Sequence, residues 1–291
     1  MKKGQGADNL VLSSVGFKLT GACEYHCPFC CEPDRSQKVY PVVNFTKISE
    51  MLWRHGTKRL CFTGGDPLLY KELYEVLSYT TRLGFKNVLL TANGRLLKKN
   101  IKAVGGNVDA VRFSVHGIRE KHDKVVDCVG SFEEMESAIA ILRDLRVSIY
   151  AATVVTNESV DDLCEILKWC AAEQISHLFL FELMKSGAGK EYVDNKGTVD
   201  DDALRSLLER LRQSDDAAKV EIIHYDYKSK GDCVLIYGNG AICIDPYPGS
   251  ENFQLYVGNI FDEGLEKIIE RISADPENVN GYVEHHKKYS L

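Results

Sequence analysis

Cys23-Glu-Tyr-His-Cys27-Pro-Phe-Cys30 places three thiols within eight residues, directly after an apolar run that ends at Leu19. Thiolates are soft ligands suited to iron and zinc. A closed iron–sulfur or zinc site takes four ligands, so three is one short. A cubane held by three cysteines leaves one iron open to a substrate or cofactor, which points to catalysis rather than to a structural staple. The competing reading of the triplet is a zinc site completed by His26, Cys31 or a remote thiol. Zinc sites usually pair two Cys-x2-Cys units, and the sequence has no second unit.

The elements that must position these thiols follow from periodicity. Apolar, β-branched runs predict strands at 15–19, 59–63, 87–91, 110–115, 148–155 and 177–183. Helical patterns fall between them at 47–55, 71–83, 96–104, 132–145 and 160–172, with Gly84, Gly105 and Gly130 in the connections. Ser131-Phe-Glu-Glu134 has capping-box spacing, and Thr156-Asn-Glu-Ser159 caps the next helix. Strand–helix alternation in one direction makes a parallel sheet with crossover helices. About 185 residues hold six units, against eight in a full barrel of roughly 250. The expected fold is therefore α/β, an open partial (β/α)6 barrel, with a doubly wound sheet as the alternative. After Lys185-Ser-Gly-Ala-Gly189 the texture changes to a helix at 200–213, short strands at 220–224, 233–237, 241–245 and 254–257, and a helix at 263–272. The expected division is a loose tail (1–10), the barrel (11–190) and a small α+β appendage (191–291).

Chemistry in parallel α/β folds gathers beyond the carboxyl ends of the strands. The unusual polar and glycine clusters all fall there: the cysteine loop, Gly64-Gly65-Asp66-Pro67, Thr91-Ala-Asn93-Gly94, Ser114 with His116, Thr153 with Thr156, and Glu182 with Lys185. Each has a plainer reading of its own. The Gly-Pro segment suits an ordinary turn, Asn93 a helix cap, and His116 a satisfied interior histidine. Glu182 ends an apolar strand and needs a partner, which a barrel Lys or Arg would supply as well as a substrate would.

Composition narrows the classes. Hydrophobic residues at 44% and charged residues at 27% are globular values. No apolar run approaches the roughly 20 residues of a membrane span. The polar start (1–9) lacks a signal-peptide core. Ten cysteines without an export signal imply a reducing, cytoplasmic setting. A net charge of −6 argues against a nucleic-acid groove, and Lys287-Lys288 is too short to change that.

Taken together, these residues resemble the radical S-adenosylmethionine (radical SAM) superfamily over most of 15–185. The Cys-x3-Cys-x2-Cys triplet with Phe29 before its last cysteine carries the resemblance. Gly64-Gly65-Asp66-Pro67 is similar to the family's Gly-Gly-Glu-Pro, Thr91-Ala-Asn93-Gly94 to its third-strand segment, and Arg112-Phe-Ser114-Val-His116-Gly117 to its fourth. The resemblance implies that Cys23, Cys27 and Cys30 hold a [4Fe–4S] cluster whose fourth iron takes S-adenosylmethionine. It also implies that reductive cleavage of that cofactor yields a 5′-deoxyadenosyl radical that abstracts hydrogen. Gly64 and Gly65 would admit the methionine amino group, and Asp66 would accept from it with a side chain one methylene shorter than the family's Glu. Thr91 and Ser114 would bind the methionine carboxylate or ribose, with Asn93 as a further candidate. Val155 and Leu183 would border the adenine. Glu182, His116 and Lys185 are the candidates for acting on substrate. An electron donor such as flavodoxin or ferredoxin is implied.

The stretch from Cys233 to Cys243, with Tyr256-Val-Gly-Asn-Ile260, resembles a trimmed SPASM or twitch domain. Asp245 stands where a ligand cysteine of such domains is expected, so a cluster-free appendage is expected, acting as a lid or substrate wall. The expected substrate is a small polar metabolite (a sugar, nucleoside or antibiotic precursor). The alternatives are a peptide-modifying maturase and a non-catalytic iron–sulfur or zinc protein. Anaerobic reconstitution should load about four irons per chain, the content of one cubane, whereas about eight would establish a second cluster.

Overall fold

The computed structural model describes residues 12–32, 35–36, 38–226, 233–245 and 254–274. The expected tail and the basic ending at Lys287-Lys288 lie outside the described residues.

Ten strands form one sheet in the order β10-β9-β8-β1-β2-β3-β4-β5-β6-β7. β1 (Ser14–Thr20), β2 (Arg59–Gly64), β3 (Val88–Ala92), β4 (Ala110–Ser114), β5 (Ser148–Val154), β6 (His177–Phe181) and β7 (Glu221–Tyr225) pair in sequence, all parallel. On the other side of β1, β8 (Cys233–Tyr237) is parallel, while β9 (Ala241–Asp245) and β10 (Leu255–Asn259) are antiparallel. The chain is thus a partial α/β barrel with a carboxy-terminal appendage. The sheet is continuous through the expected boundary near 190, because β7 extends one edge and β8 to β10 extend the other.

Alternation along the strands explains the layers. Val15, Phe17, Leu19, Leu60, Phe62, Leu90, Val111 and Phe113 are almost fully buried in the main core. That core is completed by Phe45, Ile48 and Leu52 of α1 (Val42–His55) and by Val76 and Leu77 of α2 (Leu73–Leu83). Side chains of opposite parity face the inside of the curl. A smaller apolar cluster of Ala110, Tyr150, Ala152, Phe179 and Ile223 fills part of that inner face. Strands β4 and β8 are four steps apart, about 19 Å in a flat sheet, yet Arg112 of β4 acts electrostatically on the Cys233 thiol of β8. The sheet must curl for these residues to approach.

Several element boundaries differ from the expected ones. The helix expected at 96–104 is a short 3-10 turn (Lys98–Asn100) followed by α3 (Ile101–Val104). The helices not anticipated include α4 (Glu120–Val126) and a later one after β6. α5 (Ser131–Asp144) does not use the expected capping box. Asp123 of α4 accepts instead from Gly130 N (2.6 Å), Ser131 Oγ (2.7 Å) and Phe132 N (2.9 Å). One carboxylate from outside the helix thus satisfies donors that a local cap would otherwise serve. Thr156 and Ser159 do cap each other, with Ser159 N donating to Thr156 Oγ1 and Thr156 N to Ser159 Oγ. They precede a 3-10 turn and α6 (Leu163–Ala172).

A histidine pair lies behind β4. His122 of α4 is fully buried, and its Nδ1 accepts from the backbone N–H of His116 at 3.1 Å, which fixes that nitrogen as unprotonated. Burial holds His122 down at about 4, and burial together with repulsion from His122 holds His116 down at about 3. Both folded values lie below the unfolded 6.5, so the stabilisation from the neutral forms is full above about pH 6.5 and is lost as pH falls toward 4. Chemical denaturation should show a loss on the order of 2 kcal/mol per histidine between pH 7 and 5. The His122→Asn variant, which keeps an acceptor, should show a shallower pH slope; an unchanged slope would contradict this assignment.

Candidate active site

The cysteine loop leaves the carboxyl end of β1. Cys23, Cys27 and Cys30 are free and half-buried. Tyr25 N donates to Cys23 Sγ (3.4 Å), and Cys30 N to Cys27 O (3.2 Å), a turn that brings the last two thiols together. His26 N donates to Val126 O at the end of α4 (2.9 Å). Desolvation holds the Cys27 thiol up at about 12, and the neighbouring Cys30 and Cys23 sulfurs add to the rise. Cys23 is raised for the same first reason. Such thiols ionise when a metal cation offsets the lost hydration. Among the described residues no three His, Cys, Asp or Glu converge tightly enough for one metal ion. A cubane asks for a wider triangle, because each thiolate takes a different iron. Three half-buried sulfurs on one turn fit that group.

Two neighbouring loops hold this one by backbone contact. A Cβ on Gly64 would lie 2.1 Å from Thr20 O, and one on Gly65 would lie 2.2 Å from Ala22 O. Gly65 N and Asp66 N donate to those same carbonyls, each at 2.7 Å. The glycine pair therefore lets the β2 loop zip onto the start of the cysteine loop, and φ at Gly64 is +142°. On the far side, α7 (Ala188–Lys196) and its preceding turn meet Cys30–Glu32. Ser186 Oγ donates to Cys31 O (2.8 Å) and Gly189 N to Cys30 O (3.3 Å), and a Cβ on Gly187 would lie 2.6 Å from both Cys30 O and Glu32 O. This clamp was not foreseen; the glycines of Ser186-Gly-Ala-Gly189 were its only sequence signal.

The expected cofactor residues border the loop. Asp66 is fully buried; its Oδ1 accepts from Leu68 N (3.1 Å), capping the turn Pro67–Leu69, and its Oδ2 has no partner among the described residues. Burial raises this carboxyl to about 7. An orphaned buried acceptor beside the cysteine loop suits an ammonium donor. Asn93 is buried, with Oδ1 accepting from Arg95 N and Nδ2 unpartnered, and its carbonyl accepts from Tyr25 OH of the cysteine loop (3.4 Å). Phe29 packs with Leu183 and with Val193 of α7, and its ring centroid lies 4.8 Å from that of His116. Val155 is buried in the main core, its N–H donating to Phe181 O (2.8 Å). Thr91 and Ser114 lie half-buried on the inner face, where Thr91 Oγ1 accepts from Arg112 (3.1 Å).

The three residues expected to act on substrate each have a separate partner. His116 packs on Phe29. Glu182 follows β6 with the parity of Leu178 and Leu180, which belong to the main core under the helices. Its carboxylate lies 3.0 Å from His224 Nε2, although that nitrogen has no aligned hydrogen-bond acceptor. Lys185 is 54% exposed and pairs with Asp194 at 3.6 Å. Sequence reasoning passed over Lys18, which interrupts an apolar strand. It pairs with Glu32 at 2.8 Å, nearly buried, and its ammonium lies 5.3 Å from the Tyr237 ring centroid. Burial alone would lower its pKa, but the Glu32 carboxylate more than offsets this and holds it well above the usual lysine value. The pair ties β1 to the tail of the cysteine loop beside β8.

Comparison with known proteins agrees with this geometry. The family model of the radical SAM superfamily matches residues 17–170. A probable GTP 3′,8-cyclase from Sulfurisphaera tokodaii is 25% identical over 217 residues, covering 71% of this chain and 66% of the relative. The sporulation killing factor maturation protein SkfB of Bacillus subtilis is 27% identical over 171 residues, covering 56% of this chain and 41% of the relative. The chain thus spans at most about two thirds of the length of these relatives. The crystal structure of Streptococcus suis SuiB bound to the precursor peptide SuiA superposes with a TM-score of 0.72 at 14% identity, over 92% of this chain and 66% of that one. With the family model spanning more than half of its length and the thiol triplet at the head of its barrel, this chain belongs to the radical SAM superfamily, enzymes that work with a [4Fe–4S] cluster and S-adenosylmethionine.

Proposed function

We propose that the chain holds its [4Fe–4S] cluster through Cys23, Cys27 and Cys30 and directs S-adenosylmethionine-derived radical chemistry at a small polar metabolite. The observation that carries this reading is the cysteine loop gripped from both sides, with the orphaned Asp66 Oδ2 beside it. When bound and reduced, the cluster supplies the electron that splits S-adenosylmethionine into methionine and a hydrogen-abstracting 5′-deoxyadenosyl radical. The chain's own residues position and exclude. Asp66 accepts from the methionine ammonium, with its raised pKa falling as that cation arrives. Thr91 and Ser114 offer hydroxyls to the carboxylate or ribose, and Phe29, Leu183 and Val193 shield the loop from water.

The carboxy-terminal strands serve as a wall rather than a second cluster site. Leu235 of β8 fills the space beside Gly16 of β1, and Tyr237 lies level with Lys18. A redox-neutral outcome suits a chain with one cluster and an external donor such as flavodoxin or ferredoxin. The peptide-modifying alternative draws on SkfB, and substrate trials should include peptides.

Reconstituted protein given dithionite and S-adenosylmethionine should form 5′-deoxyadenosine and methionine, measured by mass spectrometry. The Cys27→Ala variant should lose both cluster and product, whereas a wild-type protein that loads iron yet forms no 5′-deoxyadenosine would fit a sensor instead. Gly187→Val should cut iron loading several-fold in a chain that still folds, because its side chain displaces Cys30 and Glu32 carbonyls. Full loading in that variant would remove the clamp from the account.

A further inference from the structure

Lys18 and Arg112 both lie inside the curl of the sheet, in different circumstances. Lys18 is matched by Glu32 at 2.8 Å. Arg112 of β4 lies level with Thr91 of β3 on the same inner face. A guanidinium has five N–H donors, and among the described residues Arg112 makes one hydrogen bond, to Thr91 Oγ1 at 3.1 Å. Its Nε is sealed from solvent with no acceptor. No Asp or Glu among the described residues comes within ion-pair distance of it.

Apart from the Cys233 thiol of β8, on which it acts electrostatically, its neighbours are aromatic. The guanidinium carbon lies 5.2 Å from the Phe179 ring centroid and 5.4 Å from that of Phe181. The Tyr225 ring is 5.0 Å from Phe181 and 6.1 Å from Phe179, so β6 and β7 present one aromatic wall. Stacking on ring faces orients a guanidinium and partly compensates its charge, but leaves its in-plane donors unused. A structural arginine in a parallel barrel would normally find a carboxylate; this one sits over two rings and bonds one threonine, with donors to spare. Planar donor forks of this kind match carboxylate and phosphate oxygens.

We propose that Arg112 is the docking point for an oxyanion on the substrate, a carboxylate or phosphate, with the adjoining part of that molecule lying against Phe179, Phe181 and Tyr225. The assignment rests on the enzymatic reading above and narrows its substrate to an anionic small molecule with an apolar or planar face. The hydrogen bond to Thr91 couples this docking point to the rim where S-adenosylmethionine is proposed to bind, so the anion would set how far the substrate reaches toward the radical.

The test uses cluster-loaded protein with S-adenosylmethionine and two probes, acetate and inorganic phosphate, titrated at ionic strength held constant with chloride. Thermal unfolding should show a saturable rise in midpoint with one or both anions. A response to acetate alone assigns a carboxylate, and a response to phosphate alone assigns a phosphate. Arg112→Gln should raise the half-saturating concentration at least about tenfold, as expected for loss of a charge-assisted fork. Arg112→Lys should retain part of the response, and Arg54→Gln, which removes an exposed surface guanidinium, should retain all of it. If Arg112→Gln fails to load iron, the lysine variant carries the comparison. No rise in wild type, or the same rise in the Arg112 variants, overturns the proposal. So does a loss of S-adenosylmethionine affinity in Arg112→Gln with the anion response intact, because the guanidinium then serves the cofactor. Formation of 5′-deoxyadenosine by wild type is scored separately, and its absence would sink the enzymatic reading without deciding the anion result.

Discussion

Three backbone segments meet around the cysteine loop at distances that leave no room for a Cβ. Gly64 and Gly65 bring the β2 loop onto Thr20 and Ala22, and Gly187 brings the turn before α7 onto Cys30 and Glu32. Carbonyls at both ends of the loop are then tied by N–H donors and one serine hydroxyl. The segment between these two grips, which would otherwise sample many states, is fixed at both ends, which lowers the entropy to be lost when a metal group binds. The thiols stay in a desolvated setting that favours their neutral form until a cation arrives. Positioning of the sulfurs therefore depends on glycine placement in loops remote in sequence from the cysteines.

The curl of the sheet supplies the second constraint. Because β8 joins β1 in parallel while β7 extends the other edge, the inner face gathers Lys18, Thr91, Arg112, Ser114, Phe179, Tyr225 and Tyr237 from six strands. The Lys18–Glu32 pair links this interior to the cysteine loop. Pairs buried in this way contribute little net stability, since desolvation offsets most of the attraction, but they are costly to break on one side. Their value here is orientation of Glu32, whose carbonyl also borders Gly187.

Much of this was legible in the sequence, and the exceptions have physical reasons. Strand–helix alternation located the six central strands, and the rule that chemistry lies beyond strand carboxyl ends located the cysteine loop, Gly64-Gly65 and Asn93. The conformational freedom of the glycines was legible, but the partners they approach were not, because close approach is a tertiary fact. Asp123 as the cap of α5 was hidden because the donors it serves lie seven to nine residues onward, beyond the reach of a local capping-box pattern. Glu182 looked exposed to chemistry because it ends an apolar strand. Counting by twos from Phe179 and Phe181 places it instead with Leu178 and Leu180, facing away from the interior, and the same parity would have singled out Arg112. α7 carries too few apolar residues for its period to stand out, and the contact that matters is its first turn.

Whether the chain works as a radical enzyme turns on the coordination of one iron. Electron–nuclear double resonance on the reduced, reconstituted protein with S-adenosylmethionine labelled at its carboxylate oxygen and amino nitrogen would read that coordination. Hyperfine coupling from both labels to the cluster, lost when the cofactor is omitted, is the result expected. A cluster whose irons are all ligated by protein side chains, with no coupling to either label, would contradict it.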